Sequence, residues 1–224
     1  MTYWSNNKVI FNNNPLLPSN LKMLIIGASN CGKTSRLFDM LINDYFDFNR
    51  FIICSKSMFQ PDYEVLIAAY KYGLTNNHIK KLFANAKEIY NYKQAIELIS
   101  KKIPKEKKSN IEVITYENPN LIPNPEDLKD IKKKTLFILD DVLIGAQEKI
   151  ENLFVYGRHS WINIVYLSQS YFRLKRQTIR NNSNMFIFFK LNKLDIENIW
   201  RDQCSIDFKV YSDFEKLIEQ VFGY

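Results

Sequence analysis

Residues 27–34 read Gly27-Ala28-Ser29-Asn30-Cys31-Gly32-Lys33-Thr34 (GASNCGKT) and satisfy the pattern GxxxxGK[ST]. Each residue type has a physical reason. A loop that wraps a phosphate with backbone N–H groups cannot have side chains intruding where it bends, hence the glycines. A helix opening near Lys33 points its free amides and positive dipole end at the anion. Lys33 supplies a mobile positive charge for the β- and γ-phosphates, and the Thr34 hydroxyl is placed to ligate Mg²⁺. At average glycine usage a chain of this length meets the pattern by chance about once in a hundred. This chain has only six glycines, two of them here. The expected nucleotide-contacting residues are Gly27, Ala28, Ser29, Asn30, Cys31, Gly32, Lys33, Thr34 and Ser35. Cys31 reads as a small residue that fits the loop.

The flanking sequence supplies the context the motif needs. Leu21–Ile26 is a short apolar run ending at glycine, as in a buried strand. After the loop, Leu37, Phe38, Leu41, Ile42 and Tyr45 recur at helical spacing. Further apolar runs at Phe51–Ser55, Ile111–Thr115, Thr135–Leu139, Ile162–Leu167 and Met185–Phe189 read as strands. The stretch 62–102 has a mostly helical pattern and ends in the basic run KKIPKEKK (101–108). The Pro/Asn loop 117–125 precedes an expected helix at 126–132. Strands alternating with helices imply an α/β fold with a mainly parallel sheet covered on both faces. The expected organisation is an Asn-rich arm over 1–20 and a single domain over 21–224.

Composition sets outer limits. The 224 residues carry a formal net charge of +7 and are 46% hydrophobic. That is enough apolar material for a sizeable core, with a charge balance compatible with a polyanionic partner. Cys31, Cys54 and Cys204 are isolated and, with His78 and His159, provide no zinc-ligand spacing. The expected setting is reducing and intracellular. No apolar run approaches the ~20 residues needed to span a bilayer.

The strand Thr135–Leu139 runs straight into Asp140 and Asp141. An apolar strand ending in an acid delivers a carboxylate beside the phosphate loop, where it holds Mg²⁺. A second acid can orient or deprotonate the attacking water. Asp140 is therefore assigned to the metal and Asp141 to the water, and the pair favours hydrolysis over binding alone. Ser168, Gln169 and Ser170 follow the strand at 162–167. If that strand lies between the other two, Gln169 faces the γ-phosphate as a sensor; the plainer reading is a helix N-cap cluster.

Asn192-Lys193-Leu194-Asp195 spells NKxD, the guanine-reading motif of GTPases. A GTPase also needs DxxG after its metal-binding strand, and here Gly145 comes one residue too late. The simpler reading of Asn192 and Asp195 is a helix start. Arg158, Arg173, Arg176 and Arg180, with Lys175, leave three uses open: a finger reaching a neighbouring subunit's phosphate, a DNA-facing surface, or a kinase lid.

The GRH at 157–159, the YLSQ at 166–169, the IRNN at 179–182 and the aromatic strand at 185–189 join GASNCGKT and ILDDV in one pattern. It resembles the genome-packaging ATPases of the FtsK–HerA class, in the branch found in poxviruses, giant viruses, virophages and polinton-type elements. The likeness runs from about residue 20 to 195. It implies a three-layer P-loop fold of the additional-strand (ASCE, RecA-like) type, with ATP and Mg²⁺ as ligands. It also implies a pentameric or hexameric ring that drives double-stranded DNA into a capsid, with a capsid or portal vertex protein as partner. The implied location is the host cytoplasm, a viral assembly site or the virion. By position, Lys33 and Thr34 form the Walker A pair, Asp140 and Asp141 the Walker B pair, and Gln169 the sensor. Arg158 is the candidate trans-acting arginine, with Arg180 the alternative. Cellular members commonly carry Glu where Asp141 stands. DNA contact is then left to loops of the ATPase core, 101–108 among them. Two other readings remain: a small-molecule kinase using the 173–180 arginines as a lid, and a nucleotide-gated binding module without turnover.

Overall fold

The computed structural model describes residues 13–84, 91–130, 133–143 and 147–223, without the side chains of Ala84, Arg158 and His159. Six strands form one sheet: β1 (Lys22–Ile26), β2 (Arg50–Ser55), β3 (Glu112–Tyr116), β4 (Thr135–Asp140), β5 (Ile162–Ser168) and β6 (Met185–Phe188). Their order is β3-β2-β4-β5-β1-β6, and every pairing is parallel. The phosphate-loop strand β1 and the acid-bearing strand β4 are thus separated by β5, the arrangement that defines the additional-strand class. The anticipated sheet is realised, and is parallel throughout.

Parallel strands are joined by crossovers that cover both faces. The side chains of β1 alternate accordingly, with Met23 and Ile25 in one core and Leu24 and Ile26 in the other. The first core is closed by α1 (Lys33–Ile42), α2 (Pro61–Lys71), α3 (Asn76–Ala84) and α4 (Tyr92–Lys102), through Leu37, Leu66, Ile79 and Ile96 among others. The second is closed by α5 (Gln147–Tyr156), α6 (Lys193–Ile199) and α7 (Tyr211–Phe222), through Leu153, Ile199 and Phe214. Strands β1, β4 and β5 are buried along their whole length, which explains their unbroken apolar runs.

Three local expectations meet a different outcome. No helix forms over 126–130. Consecutive turns run there instead, with the N–H groups of Asp127, Leu128 and Lys129 bonded three residues back to Asn124, Pro125 and Glu126. Residues 131–132 lie outside the described residues. Of the arm, 13–20 are described, and they lie along the end of α1: the Asn14 N–H bonds the Tyr45 carbonyl, and Leu17 is buried. The basic run 101–108 closes α4 and leads to the first residue of β3. Lys108 is anchored on Ser100 and the Ser109 N–H on the Gly73 carbonyl. This is the N-terminal end of the strands, opposite the end where the phosphate loop lies.

The NKxD segment proves to be a helix start. Asn192 caps α6 by accepting from the Asp195 N–H at 2.9 Å. Asp195 is buried, accepting from Ser170 Oγ at 2.9 Å and from the Phe172 N–H at 2.8 Å, so it ties α6 to the loop after β5. Gly145 lies outside the described residues. Removing a buried acceptor strands its donors at ~1–3 kcal/mol each. Asp195→Ala is therefore expected to lower the unfolding free energy by about 2–4 kcal/mol, read by chemical denaturation, with no change in the preference between ATP and GTP.

Candidate active site

The C-terminal ends of β1, β4 and β5 meet at one edge, the position where open α/β sheets bind ligands. The register pairs Ile26 with Ser168 and Asp140 with Leu167. The Gly27 N–H continues the ladder by bonding the Ser168 carbonyl at 3.2 Å. The first residue of the phosphate loop is therefore fixed to the strand that leads into Gln169.

Two glycines make the turn possible. A Cβ at Gly27 would lie 2.6 Å from Cys31 Sγ and 2.6 Å from Phe189 Cβ. Gly32 has φ +100°, in the left-handed half of the map where side chains are strained. Phe189, at the end of the aromatic strand, underlies the loop at both glycines, and its N–H bonds the Ile26 carbonyl at 2.8 Å. Cys31 thus has a packing role, its sulfur filling the space beside Gly27.

Beyond the loop, α1 begins at Lys33 and aims its N-terminal amides into a cavity of about 540 Å³. Ser29, Asn30, Gly32, Lys33, Thr34 and Ser35 line it from the loop side, and Asp140, Asp141 and Gln169 from the sheet. Residues more than a hundred positions apart in sequence thus share one enclosure. Gly27 and Ala28 do not line it; their carbonyls accept from Lys33 Nζ at 2.8 and 2.7 Å. The lysine is folded back on its own loop, and a phosphate would have to displace at least one of these bonds to take its ammonium.

The two acids differ sharply. Asp140 is the last residue of β4 and is buried. Burial pushes its carboxyl above the ordinary value, and the negative charge of Asp141 adds to this. A hydrogen bond from Tyr63 and the charge of Lys33 oppose it. Asp141 is exposed and has φ +53°, a left-handed conformation that Asp and Asn tolerate better than most residues. That twist turns the second acid out of the strand. Thr34 and Asp140 offer oxygen donors only, the kind a hard divalent cation takes.

Three residues of this site had no place in the sequence reading. Ser57 and Gln60, from the loop after β2, complete the wall. Tyr63, in the first turn of α2, donates its hydroxyl to Asp140 Oδ2 at 2.6 Å. The legible signal was Pro61-Asp62: a proline at the first helical position starts α2 directly beyond β2, at the functional edge.

The arginines differ in their surroundings. Arg180 is buried away from the cavity. Its guanidinium lies 2.9 Å from Asp202 Oδ2 and stacks over the Tyr171 ring at 4.9 Å. In this arrangement it is committed to the α6–α7 side of the fold. Arg176 also pairs with Asp202, at 2.8 Å. The side chain of Arg158 lies outside the described residues; its backbone forms a 3₁₀ turn, Gly157–Ser160, ahead of β5.

The profile of the poxvirus A32 protein family matches residues 8–211. The chain belongs to that family. No curated protein matches this A32-family chain. Among solved structures, it is similar to the genome packaging NTPase B204 from Sulfolobus turreted icosahedral virus 2 in complex with AMPPCP, with TM-score 0.48, 9% identity and coverage of 87% of this chain and 86% of that one. The ATP-gammaS complex of B204 gives TM-score 0.48 at 12% identity, covering 86% and 84%. A DnaB-like replicative helicase gives TM-score 0.41 at 13% identity, covering 78% of this chain and 48% of that one. Strand order, rather than these distant likenesses, fixes the fold class of the A32-family chain.

A pH dependence follows from Asp140. Its raised pKa means that ionisation opposes the folded, metal-free state. The protonated form stabilises that state at low pH, and the contribution is lost as pH rises through the raised value. Asp140→Asn is expected to melt above wild type at neutral pH in EDTA, with the advantage shrinking as the solution is acidified. A variant that melts below wild type at neutral pH would contradict this.

Proposed function

We propose that this chain is an ATP-hydrolysing motor that acts as a ring and moves double-stranded DNA into a capsid. The observation that carries the proposal is the single cavity enclosing Lys33, Thr34, Asp140, Asp141 and Gln169. Membership of the poxvirus A32 protein family and the +7 charge support the DNA-handling half of the reading.

Lys33 and the amides at the start of α1 bind and orient the triphosphate and stabilise the charge that develops on the γ-phosphoryl group. Asp141, exposed at the mouth, accepts a proton from the attacking water, and Gln169 orients that water. Mg²⁺, held by Thr34 and Asp140, would supply further neutralisation of phosphate charge. The proposed location is intracellular, at the site of particle assembly, with a capsid or portal protein as partner. Among the described residues no helix is long and apolar enough to cross a membrane.

A kinase lid would need the 173–180 arginines free to close over phosphate, and Arg176 and Arg180 are both engaged with Asp202. A binding module without turnover has no use for a second acid at the mouth.

Phosphate release measured with and without double-stranded DNA, alongside sizing of the oligomer, tests the proposal. DNA is expected to stimulate release, and Lys33→Ala to abolish it. Asp141→Asn keeps a residue that tolerates the left-handed backbone, so it is expected to bind ATP as wild type while turnover falls by at least about a hundredfold. Release that DNA leaves unchanged, by a monomer, would sink the motor reading.

The family resemblance assigns the trans-acting arginine to Arg158. Arg158→Ala subunits retain their own Lys33, and Lys33→Ala subunits retain Arg158. Mixing the two inactive proteins is therefore expected to restore measurable turnover. No recovery in rings shown to contain both would argue against action across the boundary.

A further inference from the structure

Tyr63 stands out among the buried polar groups that the proposed chemistry leaves unused. Its side chain is fully buried, yet its hydroxyl reaches the carboxylate that a cation would need ionised. The 2.6 Å contact is the short kind made by an O–H to a charged oxygen. The hydroxyl therefore lies against the β4 side chain expected to hold a cation. The ring is independently fixed, packing on Phe38 of α1 with centroids 5.6 Å apart. A tyrosine used only to fill the core would have no need of its oxygen, and burying an unpaired carboxylate at the end of β4 would be costly.

We propose that Tyr63 is a positioning residue for the divalent cation: its phenol holds the Asp140 carboxylate in the arrangement the cation requires. This rests on the nucleotide reading of the cavity, and it adds α2 to the elements that build the site. Without the phenol, Asp140 keeps its charge and burial but loses the donor that fixes its rotamer. Cation binding then has to supply that ordering, and the cost appears as weaker affinity for the metal, with the phosphate loop unaffected.

The test uses the full chain, a fluorescent ATP analogue and Mg²⁺. Nucleotide binding is titrated first in EDTA and then against rising Mg²⁺, for wild type, Tyr63→Phe and Phe38→Leu. Tyr63→Phe preserves the ring and its packing. It is expected to bind the analogue in EDTA as wild type does, and to need about tenfold more Mg²⁺ for the half-maximal effect of the metal on binding. Phe38→Leu perturbs the same packing while keeping the hydroxyl. It is expected to lower the melting temperature and leave the Mg²⁺ requirement within about twofold of wild type. An unchanged Mg²⁺ midpoint in Tyr63→Phe overturns the inference. So does an equal loss of affinity with and without metal, or a Phe38→Leu variant that reproduces the Mg²⁺ shift, because each would mark a packing role. A wild-type protein that binds no analogue in either condition defeats the nucleotide reading itself, an outcome distinct from all of these.

Discussion

Hydrogen bonding of β5 between β1 and β4 is the constraint on which the site depends. Parallel pairing aligns the three strands so that they end together, and whatever follows each strand emerges on the same edge. The phosphate loop follows β1, Asp141 follows β4 and Gln169 follows β5. A different neighbour for β1 would leave the same motifs intact and carry no common cavity. The ladder even extends one bond beyond the strands, from the Gly27 N–H to the Ser168 carbonyl, so the phosphate loop is tied to the end of the strand that precedes Gln169.

The cavity combines rigidity and stored electrostatic cost in a way suited to a ligand that is both large and anionic. The loop backbone is wedged between Cys31 and Phe189 on one side and held by its own lysine on the other. Asp140 is buried at some cost, offset by Tyr63 and by the charge of Lys33. The bonds of Lys33 to its own loop are provisional, and a phosphate would replace at least one of them with a stronger contact. The basic run 101–108 lies at the far end of the strands, so any polyanion contact there would be separated from the nucleotide by the height of the sheet.

Much of this was legible in the residues alone. All six strands fall within a residue or so of the apolar runs that suggested them; for β1, β4 and β5 the reason is that a strand buried along its whole length must be apolar without interruption. The NKxD segment was readable as a helix start, since Asn and Asp cap helices through contacts only three residues long. Over 126–130 the helical pattern of the sequence gives way to consecutive turns, an outcome that the residues alone did not disclose. Arg180 looked like a reactive arginine because nothing local disclosed Asp202, which meets it only after β6 and α6 fold back.

The division follows the range of the contacts. The sequence by itself determined the phosphate loop, the acidic pair and the apolar strands, since each is specified by neighbours within a few residues or by burial that any parallel sheet would impose. Only the tertiary structure decided which strand stands between β1 and β4, that Tyr63 reaches Asp140 across 77 positions, and that Arg180 is committed to the interior. Those outcomes depend on where separate elements come to rest against one another, and no local pattern of residues records that.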